Sequence, residues 1–299
     1  MNIKEKIEKL KREKDAVILV HNYQIPEVQE VADFLGDSLD LSRRAQKTDA
    51  RIIVFAGVRF MAETAKILSP KKKVLLTRKS AGCPMAEMIT PSELAYMKRK
   101  YPDAKVVSYV NTTAEIKAES YICCTSANAA KVVNSIDAKR IIFVPDRNLA
   151  NWVSRFTDKE VIPYNGFCYV HERFKKEDVI RAKEKYPDAA VIVHPECRKE
   201  VIDLADEVLS TNGMVYFAKK TDKRVIVVGT EEGLIARLKR ENPEKRFYSL
   251  GPPRMCRDMK KTRVEDVLHS IEDEVYEVTI QEDIMERARV ALERMLSVS

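Results

Sequence analysis

The sequence predicts an α/β protein of three homologous αβα units, each with a small parallel sheet, arranged around a pseudo-threefold axis. Three observations carry this. The segment Lys100-Tyr101-Pro102-Asp103-Ala104-Lys105-Val106-Val107 returns nearly verbatim as Lys185-Tyr186-Pro187-Asp188-Ala189-Ala190-Val191-Ile192, with a fainter copy at Lys11-Arg12-Glu13-Lys14-Asp15-Ala16-Val17-Ile18. Each copy leads into a short apolar run, over 17–20, 106–110 and 191–193. These runs are continuous rather than alternating, as strands buried on both faces of a parallel sheet require. The polar residues that follow keep one spacing: His21, Tyr109 and His194 lie 88 and 85 residues apart, and so do Tyr23, Asn111 and Glu196, and Ser38, Ser126 and Thr211. A fixed period of this kind is the signature of a repeated supersecondary unit.

Taken in order, residues 1–11 read as a solvated amphipathic helix, without the apolar stretch of a signal peptide. After the first strand of each unit a helix is expected, over 26–34, 114–120 and 200–205. A hydroxyl-bearing turn follows: Asp37-Ser38, Thr125-Ser126 and Ser210-Thr211. A second buried strand spans 51–55, 140–144 and 224–228, and a helix spans 59–68, 149–156 and 232–240. A last short strand, at 74–76, 161–162 and 247–248, then leads to Cys83, Cys168 and Cys256. The units are placed at 1–100, 101–185 and 186–272. A late helix covers 264–271. The tail, 273–299, packs back on the body as a strand-like piece over 275–280 and a closing amphipathic helix over 282–296. In parallel sheets ligands bind beyond the carboxyl ends of the strands. The residues aligned above all sit just past such ends.

The 299 residues are 45% apolar and carry a formal net charge of +7. That modest positive field suits anionic small molecules. No long Lys/Arg run and no aromatic-basic interleaving is present, which argues against nucleic acid. No apolar run approaches the ~18 residues of a membrane span. The expectation is a cytoplasmic protein without a membrane partner. Its six cysteines would then be reduced, which favours metal or catalytic roles over disulfides.

A lone cysteine is most often a small buried hydrophobe. Cys83, Cys168 and Cys256, one per unit, have a geometric reason to converge. Three thiolates leave one position of a metal centre open, as reactive centres do. Zinc with an open site and a cubane iron–sulfur cluster with one unligated iron both remain open at this point. Cys123, Cys124 and Cys197 form no matching triplet and read as packing residues. Asp37-Ser38 and Thr125-Ser126 read as helix N-caps, worth about 1 kcal/mol each. Several such helix ends facing one axis would also favour carboxylate or phosphate. His21 and His194 share a repeat slot. His171 follows Cys168 closely, and His269 sits on the late helix. The slot of Tyr23, Asn111 and Glu196 supplies a phenol, an amide and a carboxylate, suited to proton transfer. Arg147 is expected to pair with Asp146 or Asp158. No nucleophile elbow, P-loop or G-x-G-x-x-G is present.

These residues together resemble the quinolinate synthase family. The resemblance spans about residues 17–277. It rests on His21-Asn22-Tyr23-Gln24, Gly36-Asp37-Ser38, Gly57-Val58-Arg59-Phe60-Met61-Ala62-Glu63, Cys83-Pro84-Met85-Ala86 and Tyr109-Val110-Asn111. It continues through Cys124-Thr125-Ser126-Ala127-Asn128, Pro145-Asp146-Arg147-Asn148-Leu149, His194-Pro195-Glu196-Cys197, Ser210-Thr211 and Met259-Lys260-Lys261. The chain departs from the family pattern at Phe167, Arg198 and Arg257-Asp258.

The resemblance implies three similar domains around one 4Fe-4S cluster held by Cys83, Cys168 and Cys256, with the fourth iron left for substrate. It implies condensation of iminoaspartate with dihydroxyacetone phosphate to quinolinate in NAD biosynthesis. It also implies a transient contact with the enzyme that makes iminoaspartate. Carried over residue by residue, His21 and Ser38 hold substrate oxygens, and Ser126 serves a carboxylate or phosphate. Tyr109 and Asn111 stand near the open iron, and His194, Ser210 and Thr211 line the rest. Tyr23 and Glu196 are the acid–base pair. The competing readings are another 4Fe-4S hydro-lyase acting on a hydroxy acid, and a non-catalytic iron–sulfur or zinc sensor.

Overall fold

In the computed structural model, which describes residues 2–298, one order of elements occurs three times. The first unit runs α1 (Ile3–Lys14), β1 (Ala16–His21), α2 (Pro26–Gln29), β2 (Phe34–Gly36), α3 (Ser38–Lys47), β3 (Ile52–Ala56), α4 (Arg59–Leu68) and β4 (Lys73–Leu76). The second runs α5 (Pro91–Lys100), β5 (Lys105–Tyr109), α6 (Ala114–Ala118), β6 (Ile122–Cys124), α7 (Ala129–Ser135), β7 (Arg140–Val144), α8 (Arg147–Val153) and β8 (Glu160–Pro163). The third runs α9 (Lys176–Lys185), β9 (Ala190–Val193), α10 (Lys199–Ile202), β10 (Glu207–Val208), α11 (Thr211–Lys220), β11 (Val225–Gly229), α12 (Gly233–Glu241) and β12 (Arg246–Ser249). Two helices close the chain, α13 (Val264–Asp273) and α14 (Glu282–Val298).

The three sheets are four-stranded, parallel and identically wound: β2-β1-β3-β4, β6-β5-β7-β8 and β10-β9-β11-β12. The central strands are apolar and covered on both sides, as their continuous runs of Val, Ile and Phe demand. The chain is thus α/β with three αβα units.

Several local expectations are corrected. Helices were expected over 26–34, 114–120 and 200–205, but each is only four or five residues long. The hydroxyl turns are preceded by β2, β6 and β10, edge strands of two or three residues that the sequence pattern hid. Helix α8 ends at Val153, and residues 154–156 tighten into a 3-10 turn. The strand-like piece over 275–280 makes only a single antiparallel bridge, Leu75 with Glu277. Left-handed backbone at Glu274 and Tyr276 interrupts any longer pairing.

The units meet in two different ways. The inner faces of the first and second sheets share one continuous apolar core, which includes Phe55, Phe60, Tyr109 and Phe143. Helix α14 seals it, burying Ala288, Ala291, Leu292 and Met295 against α4, α6 and β6. The third sheet has separate cores on its two faces. It meets the others through single apolar side chains, Trp152 and Tyr23, and through polar contacts. The Asn22 amide donates to Thr211 Oγ1 at 2.9 Å, and the Gln29 amide donates to the Gly233 carbonyl at 3.0 Å. Gly233 is required there, since a Cβ would lie 2.7 Å from the Tyr23 carbonyl oxygen. No helix among the described residues is long and apolar enough to cross a membrane.

Candidate active site

The carboxyl ends of the three sheets open onto one central cavity. Its lining includes His21, Tyr23, Ser38, Cys83, Tyr109, Asn111, Ser126, Cys168, His194, Glu196, Thr211 and Cys256. Ser210 lies instead in an outer recess that shares Asp37 and Ser126 with the cavity. There its hydroxyl accepts from Gly213 N–H at 3.2 Å and caps α11, which the sequence reading did not assign as a helix.

The strand ends position the first slot. His21 Nδ1 accepts from Tyr23 N–H at 3.2 Å, and His194 Nδ1 accepts from Glu196 N–H at 3.3 Å. Both rings are buried, and burial lowers each pKa from 6.5 to about 3. Both are therefore neutral at pH 7, with the ring proton on Nε2. His194 Nε2 then donates to Ser126 Oγ at 3.2 Å.

The second slot brings Tyr23 and Glu196 to the same cavity. The Tyr23 hydroxyl is 2.7 Å from Thr230 Oγ1. Burial, reinforced by the Glu196 charge, raises its pKa well above 10, so it is a phenol at neutral pH. Glu196 is also buried, which alone would raise its pKa. His171 and His194, with contacts from His171 and Tyr109, reverse this and hold the carboxyl below its usual range. The close partner is His171, whose Nδ1 lies 2.6 Å from Glu196 Oε2, against 3.8 Å for His194. His171 Nε2 is 2.8 Å from Thr230 Oγ1, so one hydroxyl touches both Tyr23 and His171. Asn111 Oδ1 is buried without a hydrogen-bond partner among the described residues. A native buried amide oxygen in that state is left to accept from a ligand.

The three cysteines are held alike. The N–H after each third β-strand donates to the carbonyl two residues before the cysteine: Arg59 to Ala81 at 2.9 Å, Arg147 to Gly166 at 2.9 Å, and Glu232 to Arg254 at 3.0 Å. Backbone N–H groups then point at each sulfur: Ala86 and Met85 at Cys83, His171 at Cys168, and Met259 and Asp258 at Cys256. Burial raises all three thiol pKa values; neighbouring sulfurs raise those of Cys83 and Cys168 further, and the Glu231 charge raises that of Cys256. Three soft, mutually close sulfurs, each met by N–H donors, fit a thiolate-bound metal centre, which would deprotonate them. Cys168 Sγ also lies with a His171 ring nitrogen and a Glu196 oxygen inside 4.8 Å.

Other cysteines stay out of the cavity: Cys123, Cys124 and Cys197 are fully buried. His269 is half exposed and meets Asp273 at 2.7 Å. Arg147 pairs with Glu172 at 2.6 Å rather than with Asp146 or Asp158. Asp146 is buried and already accepts from Leu149 and Cys168 N–H. Sequence reasoning missed Thr230, Glu231 and Lys260, and gave Asp146 no site role. The same 88- and 85-residue register joins Val58, Asp146 and Glu231 and would have found two of them.

The family model described as "Quinolinate synthetase A protein" matches residues 5–297. The chain is 53% identical over 295 residues to a protein of Thermodesulfovibrio yellowstonii named quinolinate synthase, covering 98% of this chain and 97% of the relative. It is 50% identical over 298 residues to a quinolinate synthase of Alkaliphilus metalliredigens, covering 99% and 98%, and 51% identical over 296 residues to one of Methanoregula boonei, covering 99% and 98%. A chain half identical to such relatives along nearly its whole length is an enzyme that belongs to the quinolinate synthase family.

Proposed function

We propose that the enzyme condenses iminoaspartate with dihydroxyacetone phosphate to quinolinate, releasing phosphate and two waters, as a step of NAD biosynthesis. The observation that carries this is one cavity holding three unit-equivalent thiols beside a protonated phenol and an ionised carboxylate. Cys83, Cys168 and Cys256 would hold a 4Fe-4S cluster. When bound, the cluster supplies an open iron, a Lewis acid for a substrate oxygen.

The protein's own groups divide the remaining work. Ser38 and Thr211 open α3 and α11, and Ser126 lies three residues ahead of α7, so hydroxyls and helix N-termini face the cavity and favour carboxylate or phosphate. Ser210, in the outer recess, supports that end of the site by capping α11. His21 presents a neutral ring with its proton on Nε2, a donor for a substrate oxygen, while His194 gives its Nε2 proton to Ser126 Oγ and so orients that hydroxyl. Asn111 Oδ1 accepts from substrate, and the Tyr109 hydroxyl lies against Glu196 and Ser126. Glu196 takes protons from carbon during isomerisation and dehydration, and Tyr23 returns them to departing oxygen.

The grouping of Cys168, His171 and Glu196 favours one second reading, a single ion such as zinc in place of the cluster. One experiment separates these. The anaerobically reconstituted enzyme is assayed for iron, sulfide and zinc, then given dihydroxyacetone phosphate with iminoaspartate generated in place. Equal amounts of quinolinate and phosphate are expected. Zinc without sulfide would overturn the cluster assignment. Dehydration of a hydroxy acid without use of the triose phosphate would make it a hydro-lyase. Bound metal with no turnover of either would make it a sensor.

A further inference from the structure

Past the third strand of each unit, the chain has one more equivalent slot. Val58, Asp146 and Glu231 precede α4, α8 and α12 with the 88- and 85-residue spacing of the strand-end residues. In the second unit Asp146 Oδ2 accepts from Cys168 N–H at 3.1 Å, and its Oδ1 accepts from Leu149 N–H at 2.7 Å. In the third unit Glu231 Oε1 accepts from Cys256 N–H at 3.0 Å, and its Oε2 accepts from Gly233 N–H at 2.7 Å. Both carboxylates are completely buried. In the first unit the slot holds Val58, which has no acceptor, and no hydrogen bond to Cys83 N–H is present among the described residues.

We propose that Asp146 and Glu231 are positioning residues for the cluster, each a carboxylate latch that ties the backbone of its cysteine to the start of a helix. The proposal rests on the cluster reading above. The backbone stitch shared by all three units sets where each cysteine loop lies. The latch adds a second fixed point at the cysteine itself, in two units of three. Two oxygens are needed, because two N–H donors meet them in each unit. An amide of the same shape offers one oxygen and one N–H₂, so one donor must lose its partner. Glu231 also reaches the chemistry. Lys260 Nζ lies 2.8 Å from Glu231 Oε1 and donates to the Tyr23 carbonyl at 2.6 Å. The Cys256 latch is thereby tied to the backbone of Tyr23, while the Cys168 latch has no such extension. Cys83 is the ligand with the least external support.

The test compares wild type, Asp146→Asn, Glu231→Gln and a remote core variant, Ile271→Val, that lowers the melting temperature without touching the cavity. Each is reconstituted anaerobically, and bleaching of the cluster by EDTA is followed by absorbance. Partners that orient metal ligands typically matter by roughly 10–100-fold, so the two latch variants are expected to lose the cluster at least about tenfold faster than wild type. Ile271→Val is expected to release it at the wild-type rate. Hydrogen exchange on the wild-type chain gives a readout that needs no variant to fold: Cys168 and Cys256 amides are expected to be protected, and the Cys83 amide to exchange faster. Wild-type release rates in both latch variants, or equal exchange at all three cysteine amides, would overturn the proposal alone. A wild-type chain that takes up no iron and sulfide would overturn the cluster reading and the proposal with it.

Discussion

At the end of β1, His21 accepts the amide of Tyr23; at the end of β9, His194 accepts the amide of Glu196 in the same geometry. Both rings are buried and neutral. Two residues on, the units diverge. Tyr23 leans on a hydroxyl, Thr230, and stays protonated, whereas Glu196 sits 2.6 Å from His171 and stays ionised. The repeat reproduces a backbone position and a hydrogen bond, and the side chain placed there decides between acid and base. His171, whose slot in the first unit holds Ala86, is what lets a buried carboxylate remain charged.

The sharpest way to break this comparison is to remove the charge on one side. Glu196→Gln is expected to lower kcat roughly 10³-fold, within the usual span for a general base, with iron and sulfide retained. Tyr23→Phe is expected to cost about 10²-fold under the same check. If both variants kept wild-type turnover, the acid–base assignment would fail. Thr230→Val touches both sides at once, since its hydroxyl meets Tyr23 and His171. About a tenfold loss of kcat is expected, with little change in KM, because no substrate contact is removed.

The shared part of the comparison has its own test. Each histidine falls from 6.5 unfolded to about 3 folded, so its neutral form is favoured by folding. The unfolded chain then binds more protons between those values. Stability from this source is complete above about pH 6.5 and is lost as pH falls toward 3. Urea midpoints of the apoprotein should therefore decline through that window. His21→Gln should flatten the decline, and an unchanged slope would show that His21 is not buried neutral. This is the smallest of the four effects.

Much of the architecture was legible because parallel strands covered on both faces must be continuous apolar runs, and three such runs recurred at one spacing. The edge strands β2, β6 and β10 were not legible. At two or three residues they leave no periodicity, and the preceding helices, of four or five residues, end without a stop signal. Residues 275–280 read like a strand, but left-handed backbone at Glu274, just before them, and at Tyr276, within them, limits the pairing to one bridge. The cavity-lining side chains were legible through the register, which carries three units to one point. Their partners were not. Thr230 and Lys260 act across unit boundaries, and Arg147 reaches Glu172, 25 residues on, because the adjacent Asp146 is already occupied.

The three-cysteine centre is the claim on which the rest depends, and metal content tests it most directly. Wild-type chain and Cys83→Ser, Cys168→Ser, Cys256→Ser and Cys197→Ser variants are reconstituted anaerobically and analysed for iron and sulfide. The account predicts about four of each per chain for wild type and Cys197→Ser, with marked loss and no turnover in the other three. A Cys83→Ser chain with a full cluster and full turnover would contradict it.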